Sequence, residues 1–170
     1  MNDFLHTLKQ PEYVHVLLNP LPVYATAMGV IALVVAWLMR NRGAQIVALL
    51  LIVVGCGSVW PVVEYGERAE DRVTAMSNKD AKAWLDVHAA RADKLAPVFY
   101  VTALIAALTI ILPGKYPKVN HVLLAVTLVA ALASLACGGW ISQAGGKVRH
   151  SEFREGPPPV SETSSINTED

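Results

Sequence analysis

The sequence predicts an all-α integral membrane protein, a four-helix bundle with an outer helical-hairpin extension between helices two and three. Three observations carry this reading. Hydrophobic residues make up 54% of the 170 residues and charged residues only 16%, against about 25% charged in an ordinary soluble domain. Four runs, 21–39, 44–63, 95–112 and 122–141, contain no charged residue. Each is close to the roughly 20 apolar residues that span a bilayer, where only a helix satisfies its own backbone. The polar stretch 64–94 is rich in helix formers rather than turn residues.

Taken in order, MNDFLHTLKQPEYVH has no basic n-region, so it does not read as a signal peptide and the first run is expected to stay. Arg40, Asn41, Arg42 and Gly43 make a tight turn between runs one and two. EYGERAEDRVTAM continues helix two outward, with Glu64 and Arg68 as an i,i+4 pair. Ser77-Asn78 interrupts; Asn78 is the expected N-cap, with Asp80 in the first turn. KDAKAWLDVHAARADK then leads into helix three, giving a hairpin on the order of 20 Å tall at 1.5 Å per residue. Pro113-Gly114 is a stop signal before helix four. Residues 1–154 form one membrane domain, and the Pro-, Ser- and acid-rich stretch 155–170 cannot bury enough apolar surface to fold, so a disordered tail is expected.

Both short turns are basic and free of acids, Arg40 and Arg42 in one, Lys115 and Lys118 in the other. The positive-inside rule places them in the cytoplasm. Both termini and segment 64–94 then lie outside, in the periplasm of a bacterium whose inner membrane holds the protein. Small residues offer each helix a close-packing face: Ala25, Gly29, Ala32 and Ala36; Cys56 and Gly57; Thr102, Ala103, Ala106 and Ala107; Thr127, Ala131, Ser134 and Gly138. Trp60 and Trp140 fall at the outer ends, where an aromatic belt is expected.

Several functions are excluded. Fourteen Lys and Arg balance fourteen Asp and Glu, so no basic stripe addresses nucleic acid. The runs carry no charge of the kind that marks a carrier or proton path. No GxSxG, P-loop or GxGxxG occurs, and no catalytic residue stands out. Cys56 and Cys137 form no CxxC or CxxCH pattern, which removes covalent haem attachment and a zinc ribbon.

Histidines remain. His6 reads as a solvated tail residue, and His121 lies at the inner end of helix four, about 30 Å from the outer end. His15, His88 and His150 all fall at the outer end, one per segment, with Glu67 on the inward continuation of helix two. Imidazoles with a carboxylate suit Fe, Zn, Cu or Mn. Two histidines on facing helices suit haem b instead, but the surroundings are acid-rich and outside the hydrocarbon, which favours a cation over a porphyrin. Glu152, Glu70 and Arg149 stand near enough in sequence to orient or neutralise such a site. A cofactor-free polar network that closes the bundle end is the third reading. The partners expected are the lipid bilayer and either subunits of a larger membrane complex or a second copy of the chain.

Three stretches, VHVLLNPLPVYATAMG (14–29), EYGERAEDRV (64–73) followed by His88, and GGKVRHSEFR (145–154), resemble those of a family of small four-helix bacterial membrane proteins. The matching positions are His15, Gly66, Glu67, Ala69, Glu70, His88, Gly145, Gly146, Arg149, His150 and Glu152. Where family members often carry a second opening histidine, this chain has Asn19 and Pro20. The resemblance covers about residues 11–154 and implies an integral membrane location. It implies no activity. Two functions are therefore carried forward: a metal- or haem-binding membrane protein, as a redox-associated subunit, and a cofactor-free structural subunit.

Overall fold

The computed structural model describes residues 2–156, and these are helical almost throughout. Two short helices, α1 (Asn2–Thr7) and α2 (Pro11–Leu18), precede α3 (Leu21–Leu38). Then come α4 (Arg42–Gly57), α5 (Val59–Ala75), α6 (Lys79–Lys115) and α7 (Asn120–Arg149). Single 3-10 turns follow α6 and α7, at Pro117–Val119 and Ser151–Phe153. Four helical rods, Pro11–Leu38, Arg42–Ala75, Lys79–Lys115 and Pro117–Arg149, are each long and apolar enough to cross a membrane. That marks the chain as an integral membrane protein. The expected tail, 155–170, lies outside the described residues apart from 155 and 156.

α3 packs on α4, α4 on α6, α6 on α7, and α7 back on α3, so the four rods close a ring. The buried positions explain why. On α3 they are Pro22, Thr26, Gly29, Leu33 and Ala36; on α7, Leu124, Thr127, Ala131, Ser134 and Gly138. On α6 they include Phe99, Thr102, Ala106 and Thr109. Alternating steps of three and four residues keep one seam facing its neighbour, as in a left-handed coiled coil. Across α6 and α7, Thr102 bonds Ser134 at 2.9 Å and Thr109 bonds Thr127 at 2.8 Å. The pairing 102 with 134 and 109 with 127 makes the two helices antiparallel.

Glycine brings α3 and α4 together. A Cβ on Gly29 would stand 2.7 Å from Ile52 Cγ1, and one on Gly55 2.7 Å from the Thr26 backbone nitrogen. The small-residue expectation thus holds for Gly29, Cys56, Thr102, Thr127, Ala131, Ser134 and Gly138, with a correction on helix two. Gly57 has nothing within 4 Å of a Cβ position, and Gly55 makes the contact instead. Cys56 and Cys137 are free thiols.

Two boundaries also differ from the sequence reading. The second apolar run is divided at Ser58, between α4 and α5. Pro61 is the cause: it has no N–H to give the Gly57 carbonyl four residues back. The Pro113-Gly114 stop is overridden, since α6 runs through it to Lys115. Pro113 leaves the Thr109 carbonyl without its helical donor, and Arg42 replaces that donor. The Arg42 guanidinium bonds Thr109 O at 2.8 Å, Ile110 O at 2.9 Å and Asn120 Oδ1 at 3.0 Å. One side chain from the first residue of α4 therefore finishes α6 and ties down the start of α7.

At the opposite end the helices run well past the apolar runs. Asn78 caps α6 by accepting from Ala81 N at 2.8 Å, and Asp80 sits in its first turn, as expected. Arg68 pairs with Glu64 along α5, also as expected.

Candidate functional site: two seated imidazoles

At this end a cavity of about 540 Å3 opens between α2, α5, α6 and α7. α2 shapes it. Pro11 opens this helix with a fixed φ, Glu12 lies in its first turn, and Asn19-Pro20 separate it from α3. It packs on α5, tied by an ion pair of 2.7 Å between Glu12 and Arg72.

His15 of α2 donates from Nδ1 to the Val62 carbonyl at 2.8 Å. His88 of α6 donates from Nδ1 to the Ile141 carbonyl at 3.0 Å. A carbonyl only accepts, so the proton is on Nδ1 in both rings. Each ring also rests against a glycine four residues after its carbonyl. A Cβ on Gly66 would lie 3.0 Å from His15 Nδ1, and one on Gly145 3.0 Å from His88 Cε1. The same arrangement thus occurs twice: a helix carbonyl, a glycine one turn later, and an imidazole seated on both. The two ring centroids are 6.4 Å apart with planes at 85°.

Both imidazoles line the cavity. Their Nε2 atoms have no hydrogen-bond partner among the described residues, and neither is sealed away as a buried orphan. His88 precedes the apolar run 95–112, and burial holds its imidazole below the ordinary histidine range; the bond to Ile141 O opposes this, and the nearby His15 and Arg91 add to it. A neutral ring with Nδ1 protonated presents an Nε2 lone pair. That is a metal-binding or hydrogen-bond-accepting atom, oriented by the carbonyl behind it.

Glu67, Glu70 and Arg149 line the same cavity, as does Asn19. His150 and Glu152 do not join it, which corrects the expected three-histidine set. Helix four runs on to Arg149 rather than ending near residue 141, which carries His150 about 7 Å beyond Gly145 at 1.5 Å per residue. There His150 caps the helix: its N–H reaches Gly146 O at 2.9 Å, its Nδ1 meets Glu152 Oε1 at 3.0 Å, and its ring stacks on Phe153 at 4.8 Å. Arg154 completes the cap by bonding Lys147 O at 2.7 Å and Val148 O at 3.0 Å. GGKVRHSEFR therefore does two jobs. Gly145 makes room for His88, and the remainder closes α7. Among the described residues no group of three or more His, Cys, Asp or Glu is placed to hold a metal ion. At the far end His121 accepts from Trp37 Nε1 at 3.0 Å, apart from the site as expected.

The carbonyls of Val62 and Ile141 are the partners that sequence reasoning missed. Backbone acceptors carry no side-chain signal. The Glu12–Arg72 tie was missed as well, for 60 residues separate its members.

Fold and site together define a class: a membrane-spanning four-helix protein with a paired-imidazole cavity at one end. The chain matches no protein-family model, no curated protein and no solved structure.

Proposed function

We propose that this chain is a bacterial inner-membrane protein that holds a metal-bearing cofactor on His15 and His88, as a redox-associated subunit. The observation that carries the reading is the pair of imidazoles with Nδ1 tied to Val62 O and Ile141 O and with Nε2 unengaged over one cavity. Glu67, Glu70 and Arg149 serve as the charged lining that orients or neutralises what is bound. The resemblance of the stretches around His15, Gly66 and Gly145 to those of small four-helix bacterial membrane proteins fits the membrane location. The basic turns support an orientation with the cavity, both termini and the α5–α6 hairpin on the periplasmic side. In that orientation Met76→Cys reacts with a membrane-impermeant thiol reagent from outside and Lys118→Cys does not; the reverse pattern refutes it.

One observation favours a second reading, a cofactor-free structural subunit. The same two imidazoles tie α2 to α5 and α6 to α7 through the chain's own carbonyls. Metal analysis and an absorbance scan on the detergent-purified full chain separate the two. The cofactor reading expects stoichiometric metal that is lost in His15→Ala and His88→Ala and kept in His150→Ala. Protein prepared without chelators that carries neither metal nor chromophore refutes the cofactor reading and leaves the structural one.

A further inference from the structure

We infer that the cofactor is an iron porphyrin, bound with His15 and His88 as axial ligands on its two faces. This rests on the cofactor reading above and names the chemical class that the site takes.

The first argument is the number of donors. A bare ion such as zinc takes three or four protein ligands, and the described residues gather no such group. A porphyrin brings four equatorial nitrogens of its own, so the protein supplies only the axial positions. Two imidazoles are the nitrogen donors this cavity offers, with the carboxylates of Glu12, Glu67, Glu70 and Asp93 elsewhere on its lining.

The second is spacing. A metal–nitrogen bond of about 2 Å, plus about 1 Å from that nitrogen to the ring centre, puts two imidazoles on opposite sides of one ion about 6 Å apart. The His15 and His88 centroids are 6.4 Å apart. Their planes stand at 85°, and ligation on opposite faces of one ion fixes no angle between the two ring planes.

The third is preparation of the ligand atom. Both rings have Nδ1 committed to a backbone carbonyl. This leaves Nε2 as the ligating atom and fixes the ring orientation, the role that outer hydrogen bonds play at metal-bound histidine. Gly66 and Gly145 permit it, because a Cβ at either would press on the imidazole at 3.0 Å.

The fourth is the cavity. At about 540 Å3 it lies within the roughly 300–1,000 Å3 of cofactor pockets, which are mostly apolar with a few placed polar groups. Val63, Ala92 and Phe99 supply apolar wall. Arg149 is the one cation among the described residues that line it, and it is the group that pairs with a propionate.

The test is a hemin titration of the full chain, purified in detergent from cells starved of haem. The expected result is saturation at one hemin per chain with a low-spin, bis-imidazole spectrum. His15→Ala and His88→Ala should each lose the low-spin signature, and His150→Ala should keep it. Since an alanine variant can fail to fold, His88→Met is made in parallel. It keeps a ligating side chain and should convert the spectrum to mixed imidazole–thioether ligation. Added imidazole should restore the low-spin form in folded His88→Ala. Hemin uptake indifferent to both histidines overturns the inference, as does a purely high-spin product. If hemin fails to bind while Zn2+ or Cu2+ binds stoichiometrically through His15 and His88, the porphyrin is refuted and the cofactor reading survives. If neither binds, both fall.

Discussion

At the scale of single residues, the glycines decide whether the site exists. Gly145 and Gly66 are each positioned so that a Cβ would sit 3.0 Å from an imidazole atom, tighter than side chains normally tolerate. Gly145→Ala therefore requires the His88 ring, held on Ile141 O, to give by a few tenths of an ångström. Overpacking of this kind costs about 1–3 kcal/mol. Gly57 is the control, with nothing within 4 Å. Gly57 is the last residue of α4, so alanine there gains at most part of the roughly 1 kcal/mol that separates the two residues in a helix interior. Thermal unfolding in detergent should show Gly145→Ala well below wild type and Gly57→Ala at or above it. Equal effects of the two substitutions would sink the seating account. The sequence displays both glycines within polar motifs, so their importance was legible. What each one faces was not, because His15 is 51 positions from Gly66 and His88 is 57 from Gly145.

Among the elements, α6 shows how a local signal is overruled from a distance. Pro113-Gly114 reads as a stop, yet the helix continues to Lys115 because Arg42 bonds the carbonyls of Thr109 and Ile110. Hydrogen bonds to a charged group contribute about 1.5–3 kcal/mol each way they are counted. Arg42→Ala should consequently fray the end of α6. Hydrogen exchange ought to show faster amides over residues 111–116 in that variant, with residues 99–106 unchanged. Arg42→Lys should rescue only part of the protection, since a single ammonium nitrogen cannot replace both Nη2 on the two carbonyls and Nη1 on Asn120. No change at 111–116 would mean that the helix end stands without its arginine. The Asn78 cap is the opposite case: donor, acceptor and signal lie within three residues, and the sequence sufficed. Helix four was legible in its apolar part, but its last two turns were not. Gly-Gly resembles a terminus, and only the cap made by His150 and Arg154 reveals where the helix ends.

Over the whole molecule, hydropathy and the seam of small residues account for the ring of four rods. These depend on patterns within each helix, which is why the fold could be read in advance. The site depends on pairs between helices. It forms only when α2 folds back on α5, which brings His15 beside a histidine 73 residues further along the chain. Extending helix four by two turns then removes His150 from the mouth and reduces three candidate imidazoles to two. What sets these two apart is that both line one cavity with Nδ1 protonated against a helix carbonyl and Nε2 unengaged. Nitrogen-resolved NMR of histidine side chains in the detergent-solubilised, cofactor-free chain tests it most directly. His121, which accepts from Trp37 at Nδ1, provides an internal standard of the opposite tautomer when neutral. The account predicts Nδ1–H tautomers with bare Nε2 at His15 and His88, and the Nε2–H form at His121. An Nε2–H tautomer at either His15 or His88 would contradict it, because the atom offered to the cavity would then be a donor and unable to ligate.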